Sequence, residues 1–224
     1  MHAKSVIVGL YVTACSVLAV AAVPASAAAL SVTVSTASGA AVRGAVIVAE
    51  PVQKPPRPKS GLTAIMDQRD LQFVPDVLVI QTGTAVNFPN SDQVRHQVYS
   101  FSSAKTFQLS LYAGHGYPPV IFDKPGLVTL GCNIHDDMIG YIYVTDSPWF
   151  GRTDAGGDLQ LADLPAGEYR IHLWQPLMNE AKAEIIQPVT VGEDPAANRV
   201  HLTLQHAMRA PAVRHDADKT WSDY

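Results

Sequence analysis

Residues 131–138 read GCNIHDDM, the most informative stretch of the 224-residue chain. It places a thiol at Cys132, an imidazole at His135 and a thioether at Met138 in one short segment. The β-branched and aromatic run at 139–144 that follows is typical of a strand. The segment is therefore predicted to be a loop before a strand, and its three side chains are of the types that bind a soft metal ion.

A second histidine must come from another part of the chain, because one short loop does not easily supply two imidazoles. His96 is the best candidate, at the predicted end of the strand that opens at 83–88. Two histidines, a cysteine and a weak axial methionine suit copper that cycles between Cu(I) and Cu(II), since sulfur favours the reduced ion and imidazole holds both. Zinc competes for a Cys-His₂ site, but Met138 favours copper.

Two of these positions have simpler interpretations. Cys132 could be a buried core thiol, because free cysteine packs as a small apolar residue. His115, between two glycines, is a rival ligand that we interpret as a solvated loop histidine.

Short apolar runs bounded by Gly, Pro, Asp and Ser recur along the chain, and no long helical pattern accompanies them. The clearest runs lie at residues 31–35, 46–49, 77–80, 127–130 and 141–144. Strands of this length with turn signals between them predict an all-β sandwich.

Residues 62–146 resemble the cupredoxin family of blue-copper proteins. The matching positions are Gly83, Val86, Phe88 and Asn90 before His96, then Phe122 and Gly126 before Cys132, and the C-x2-H-x2-M spacing of an amicyanin-like ligand loop. The resemblance implies a cupredoxin Greek-key β-sandwich with one type-1 copper ion per chain. It implies the ligands His96, Cys132, His135 and Met138.

The resemblance also implies a function, that of a one-electron carrier rather than an enzyme. A redox protein such as a c-type cytochrome or a periplasmic dehydrogenase would be the partner, and some relatives are labelled methylamine utilisation proteins. A copper-binding module for delivery or sensing is the alternative.

The sequence departs from the family pattern at several positions. Val128 and Leu130 replace the usual aromatics, and Gln97 stands where many members have asparagine, so we expect altered surroundings of the metal. Asp136 and Asp137 make the ligand loop acidic where the amicyanin loop is apolar. The simplest interpretation of these two charges is a solvated loop; the alternative is that they face a partner, which would then have a basic face.

The flanking segments, 28–50 and 147–206, resemble a prealbumin-like or carboxypeptidase-regulatory-like β-sandwich. We expect them to form a second sandwich beside the copper domain. Residues 51–61 are rich in proline and predict a linker, and 207–224 predict a polar tail.

Residues 1–27 predict a secretory signal peptide, with Lys4, an apolar run at 5–23 and small residues at 25–29, so that cleavage follows Ala27 or Ala29. An uncleaved membrane anchor is the alternative. Cleavage would place the protein in the periplasm with no later membrane span and with Cys132 as its single cysteine. A formal net charge of -4 and the lack of a basic stripe argue against nucleic-acid binding.

Overall fold

The computed structural model describes residues 27–53, 58–178, 184–194 and 196–205. The predicted signal peptide, apart from its last residue, and the predicted tail lie outside these ranges. Within them the chain forms strands and no helix, which confirms the all-β prediction. None of the described segments forms a helix that could cross a bilayer.

In chain order the strands are β1 (Ala27–Thr36), β2 (Val46–Pro51), β3 (Thr63–Ile65), β4 (Asp67–Arg69), β5 (Gln72–Val74), β6 (Val77–Gln81), β7 (Thr84–Asn87), β8 (His96–Ser102), β9 (Lys105–Tyr112), β10 (Val120–Phe122), β11 (Gly126–Gly131), β12 (Ile139–Thr145), β13 (Phe150–Arg152), β14 (Asp158–Pro165), β15 (Gly167–Trp174), β16 (Ile185–Val191) and β17 (Arg199–Leu204).

Four of the sheets form successive layers. Their strand orders are β14-β1-β17, β13-β2-β15-β16, β6-β12-β11-β8-β9 and β10-β7-β3, and β4 pairs with β5 in a separate hairpin. Three apolar clusters lie between the layers. The second cluster fills the space between the five-stranded sheet and the β10-β7-β3 sheet, beneath the segment that carries the predicted ligands.

Strands β2 and β12 of the two inner sheets are buried on both faces, because successive apolar residues along each strand point to opposite sides. On β2, Val46 and Val48 face the five-stranded sheet, whereas Ile47 and Ala49 face the first sheet. On β12, Tyr141 and Tyr143 face the flanking strands, whereas the intervening Ile142 faces the second cluster. This period of two is the strand geometry that the sequence pattern predicted.

The third cluster joins the central strands directly to the flanking strands. Trp174 of β15 packs against Tyr141 and Tyr143 of β12, with ring centroids 5.3 and 6.1 Å apart. The flanking segments therefore pack face to face on the five-stranded sheet.

The predicted linker begins inside a strand. Pro51 is the last residue of β2 and lies opposite Tyr169 of β15. Proline is tolerated there because β13 pairs only with residues 46–48, so this end of β2 has one unpaired side. Residues 54–57 of the predicted linker lie outside the described ranges.

Hydrogen bonds and ion pairs link the same two layers beside the third cluster. Tyr143 donates a hydrogen bond to Glu184, and the ring of His172 lies between Glu184, at 3.3 Å, and Glu50, at 2.9 Å. Hydrogen bonding to Glu184 raises the pKa of His172 against the effect of its burial. Burial acts to raise the pKa of Glu184, but its hydrogen bonds to His172 and Tyr143 outweigh burial and lower it.

We predict that His172→Gln destabilises the fold in a pH-dependent way. The raised pKa of His172 means that its contribution is present below its unfolded pKa of about 6.5 and is lost as the pH rises through the folded value. The lowered pKa of Glu184 means that its contribution is lost as the pH falls through its folded value. Urea unfolding near pH 6 should show a loss of about 1 kcal/mol, which shrinks near pH 9.

The matched control is His201→Gln, which removes a histidine that hydrogen-bonds the hydroxyl of Ser35 at 2.7 Å on β1. This variant tests whether the loss of a strand histidine outside the network gives the same result. Equal destabilisation by His172→Gln at both pH values would contradict the assignment of this network.

Candidate metal centre

The ligand candidates lie at one end of the five-stranded sheet. Cys132 directly follows β11, His135 lies in the turn before β12, and His96 is the first residue of β8. β11 pairs with both β8 and β12, and Gly131 lies opposite Tyr99 of β8. Strand pairing therefore brings the loop and the distant histidine together.

His96 occupies a different place from the one expected. The sequence predicted it at the end of the strand that opens at 83–88, but β7 ends at Asn87 and His96 opens β8. The intervening residues form a loop that is held by the side chain of Asn90, which donates hydrogen bonds to the carbonyls of Val94 and Tyr112, both at 2.9 Å. Tyr112 in turn pairs with His96 in the register of β8 and β9.

The side chains of His96, Cys132 and His135 converge, with their donor atoms within 4.8 Å of one another. The Nδ1 atoms of His96 and His135 are 3.2 Å apart. The Cys132 sulfur lies 4.0 Å from Nδ1 of His96 and 3.8 Å from Nδ1 of His135. Donors at about 2.0 Å (nitrogen) and 2.3 Å (sulfur) from one ion, at trigonal angles, would lie roughly 3.5 to 3.7 Å apart. The observed spacings therefore fit a single ion between the three donors.

The three donors differ in exposure. His96 is 0% exposed and Cys132 is 4% exposed, whereas His135 is half-buried. The floor of the site is apolar, since Val128 and Leu130 of β11 are fully buried in the same cluster as Cys132. The site is thus dry on the side of His96 and reaches the surface through His135.

Hydrogen bonds favour the thiolate form of Cys132. Burial acts to raise the pKa of this thiol, but hydrogen bonding to His96 and to the backbone N–H groups of Gln97 and Ile134 outweighs burial and lowers it. Metal ions bind the thiolate rather than the thiol. Gln97 acts through its backbone, so its difference from asparagine leaves this hydrogen bond in place.

The two imidazoles have opposite pKa shifts. Burial acts to lower the pKa of His96, but its hydrogen bonds to Cys132 and Asp92 outweigh burial and raise it. Burial lowers the pKa of His135, and the nearby His96 lowers it further. His135 is therefore held in the neutral form that metal coordination requires.

Met138 is buried in the same apolar cluster as Cys132, and its backbone N–H donates to the carbonyl of His135 at 3.0 Å. Its role as axial ligand remains a prediction. His115 is exposed in its loop and lies outside the group of three donors.

Sequence reasoning missed Asp92, whose carboxylate lies 2.7 Å from Nε2 of His96. The available signal was a carboxylate four residues before a candidate ligand in a loop. That spacing does not by itself indicate a contact, because the loop conformation decides it.

No protein-family model and no curated protein matches this chain. Solved structures similar to part of it include a Cu-containing nitrite reductase from Thermus scotoductus SA-01, at 29% identity and a TM-score of 0.35 over 42% of this chain and 25% of that one. A reduced mutant of amicyanin shows 15% identity and a TM-score of 0.34 over 45% of this chain and 98% of that one. A purple cupredoxin from Nitrosopumilus maritimus shows 23% identity and a TM-score of 0.30 over 38% and 99%.

The match to the nitrite reductase thus spans a quarter of that protein, and each of the three likenesses covers less than half of this chain. The described residues define an all-β protein with a candidate mononuclear Cys-His₂ metal centre at one end of its central sheet.

Proposed function

We propose that this chain is a type-1 copper protein of the cupredoxin kind that carries one electron at a time. His96, Cys132 and His135 are the equatorial ligands and Met138 is the axial ligand. The observation that carries the proposal is the convergence of a buried thiol and two imidazoles, all within 4.8 Å, on a sheet with an apolar floor. Soft sulfur together with imidazole is the donor set that serves both oxidation states of copper.

The protein contributes a fixed ligand geometry. His96 and Cys132 are attached to paired strands of a sheet that is buried on both faces over much of its width, so they have little freedom to move. Copper supplies the change of oxidation state. Because His135 is the half-buried member of the set, its ring edge is the route between the centre and a partner.

A delivery or sensing role is the alternative. It would require ligands that exchange readily with solvent or with another protein. The burial of His96 and Cys132 favours the electron carrier over a labile site.

The location is proposed from the sequence. A cleaved signal at 1–27 would export the chain to the periplasm, where type-1 copper proteins and their redox partners could meet. A link to methylamine utilisation remains an expectation from the resemblance alone.

We predict that adding Cu(II) gives the mature protein an intense visible colour, which arises from charge transfer from the Cys132 thiolate to the metal. The visible absorption spectrum measures this, and Cys132→Ser should abolish the colour.

His96→Gly should open an equatorial position that added imidazole refills. The control is His115→Gly, which removes an exposed loop histidine and should leave the spectrum unchanged.

A colourless Cu(II) adduct, or colour that survives Cys132→Ser, would contradict the type-1 assignment. If His115→Gly loses the colour and His96→Gly keeps it, the ligand set is wrong.

The surface around His135 is proposed as the docking site for a partner with a basic face. Asp136 and Asp137 are both exposed between His135 and Met138. Ile134 and Ile139 also reach the surface, so the charges border an apolar contact area. Opposite charge on a partner, such as a c-type cytochrome or a periplasmic dehydrogenase, would raise the encounter rate, and salt would screen this effect over about 10 Å at 0.1 M.

We predict that Asp136→Asn combined with Asp137→Asn slows electron exchange with a basic c-type cytochrome at low salt and removes most of the salt dependence. Stopped-flow measurement of the second-order rate constant checks this. The control is Glu168→Gln with Glu193→Gln, which removes the same charge from an exposed position on β15 and an exposed position just after β16. An unchanged rate for the aspartate variant across the salt range would contradict acidic docking.

A further inference from the structure

Asp92 lies directly behind His96, on the side away from the thiolate. Its Oδ2 atom is 2.7 Å from Nε2 of His96, while Nδ1 of the same ring faces Cys132 and His135. The histidine side chain is 0% exposed and the aspartate side chain is 12% exposed. The contact is therefore a shielded one, in which charge and orientation matter more than at the surface.

The carboxylate is held in place by a different part of the chain. The backbone N–H of Asp70 donates to its Oδ1 at 2.6 Å, and the N–H of Leu71 donates to its Oδ2 at 3.0 Å. Both residues have positive φ, 53° and 55°, which turns their N–H groups toward the same carboxylate in the tight connection between β4 and β5. The backbone N–H of Asp92 itself donates to the side chain of Asn90 at 3.0 Å.

This arrangement determines which nitrogen of His96 is free. When Nε2–H donates to the carboxylate, the lone pair lies on Nδ1, which is the atom that faces the other two donors. The ring is also prevented from rotating. The negative charge of Asp92 makes the imidazole a stronger electron-pair donor to a metal ion. A stronger electron-pair donor stabilises Cu(II) more than Cu(I), because Cu(II) carries the larger positive charge.

We propose that Asp92 is a positioning residue of the metal centre, which fixes the His96 ring with Nδ1 toward the ion and favours Cu(II) over Cu(I). The inference rests on the copper site proposed above and adds a determinant of its redox balance.

The alternative is that Asp92 only connects its loop to the β4–β5 turn by hydrogen bonds and does not affect the metal centre. Asp67 offers a matched control for that possibility. Its side chain is also 12% exposed, and it anchors the same loop through the hydroxyl of Ser91 at 2.9 Å, while its other hydrogen bonds run to Gln68 and Arg69. Asp67→Asn therefore weakens the support of the loop without removing the partner of His96.

The experiment measures Cu(II) and Cu(I) affinities separately, by competition with chelators, together with the reduction potential of the mature protein and its variants. Asp92→Asn should lower Cu(II) affinity by about tenfold to a hundredfold, as loss of such a partner does elsewhere, and should lower Cu(I) affinity less. Each tenfold difference between the two losses raises the potential by about 59 mV. Asp67→Asn should leave the potential unchanged.

Asp92→Ala is the second variant, because it removes the charge without placing an amide N–H against the donors of Asp70 and Leu71. It should shift the potential in the same direction. Equal loss of both copper affinities, an unchanged potential, or the same shift in Asp67→Asn would overturn the proposal. If the wild-type protein is coloured and the variants give one of these outcomes, the proposed copper site stands and only the role of Asp92 is wrong. If the wild-type protein binds no copper, both the copper site and the role of Asp92 are wrong.

Discussion

Pairing of β11 with β8 and β12 is the constraint on which the proposed metal centre depends. Cys132 follows the last residue of β11 and His96 is the first residue of β8, so the positions of thiolate and imidazole are set by the register of these strands. A shift of one residue would reverse every side chain and would move His96 out of the core. The apolar clusters on both sides of the sheet make such a shift costly.

The same burial explains the electrostatics of the site. Polar groups that leave water must find partners, and Cys132, His96 and Asn90 do so. The sulfur of Cys132 accepts hydrogen bonds from two backbone N–H groups, and His96 hydrogen-bonds Asp92. The side chain of Asn90 donates hydrogen bonds to the carbonyls of Val94 and Tyr112. Much of the geometry that a metal ion would need is therefore supplied by the folded chain, as the proposed electron transfer with little rearrangement requires.

The sequence predicts the strands and the ligand loop because both are local patterns. Alternation along β2 and β12 follows directly from residue order, and the spacing of Cys132, His135 and Met138 lies within one loop. Contacts between distant segments could not be predicted in this way. Asp92 meets His96 only because the β4–β5 turn holds its carboxylate, and Trp174 meets Tyr141 only because two sheets stack. His96 was placed on the wrong strand although Pro89, Asn90, Ser91 and Asp92 are turn-forming residues that separate β7 from β8.

Copper-edge X-ray absorption on the mature protein, in both oxidation states, tests the proposed ligand set most directly. One short sulfur scatterer and two imidazole nitrogens should be present in both Cu(II) and Cu(I) forms, with little change between them. A first shell of nitrogen and oxygen alone, a second short sulfur, or loss of an imidazole on reduction would contradict a fixed centre built from His96, Cys132 and His135.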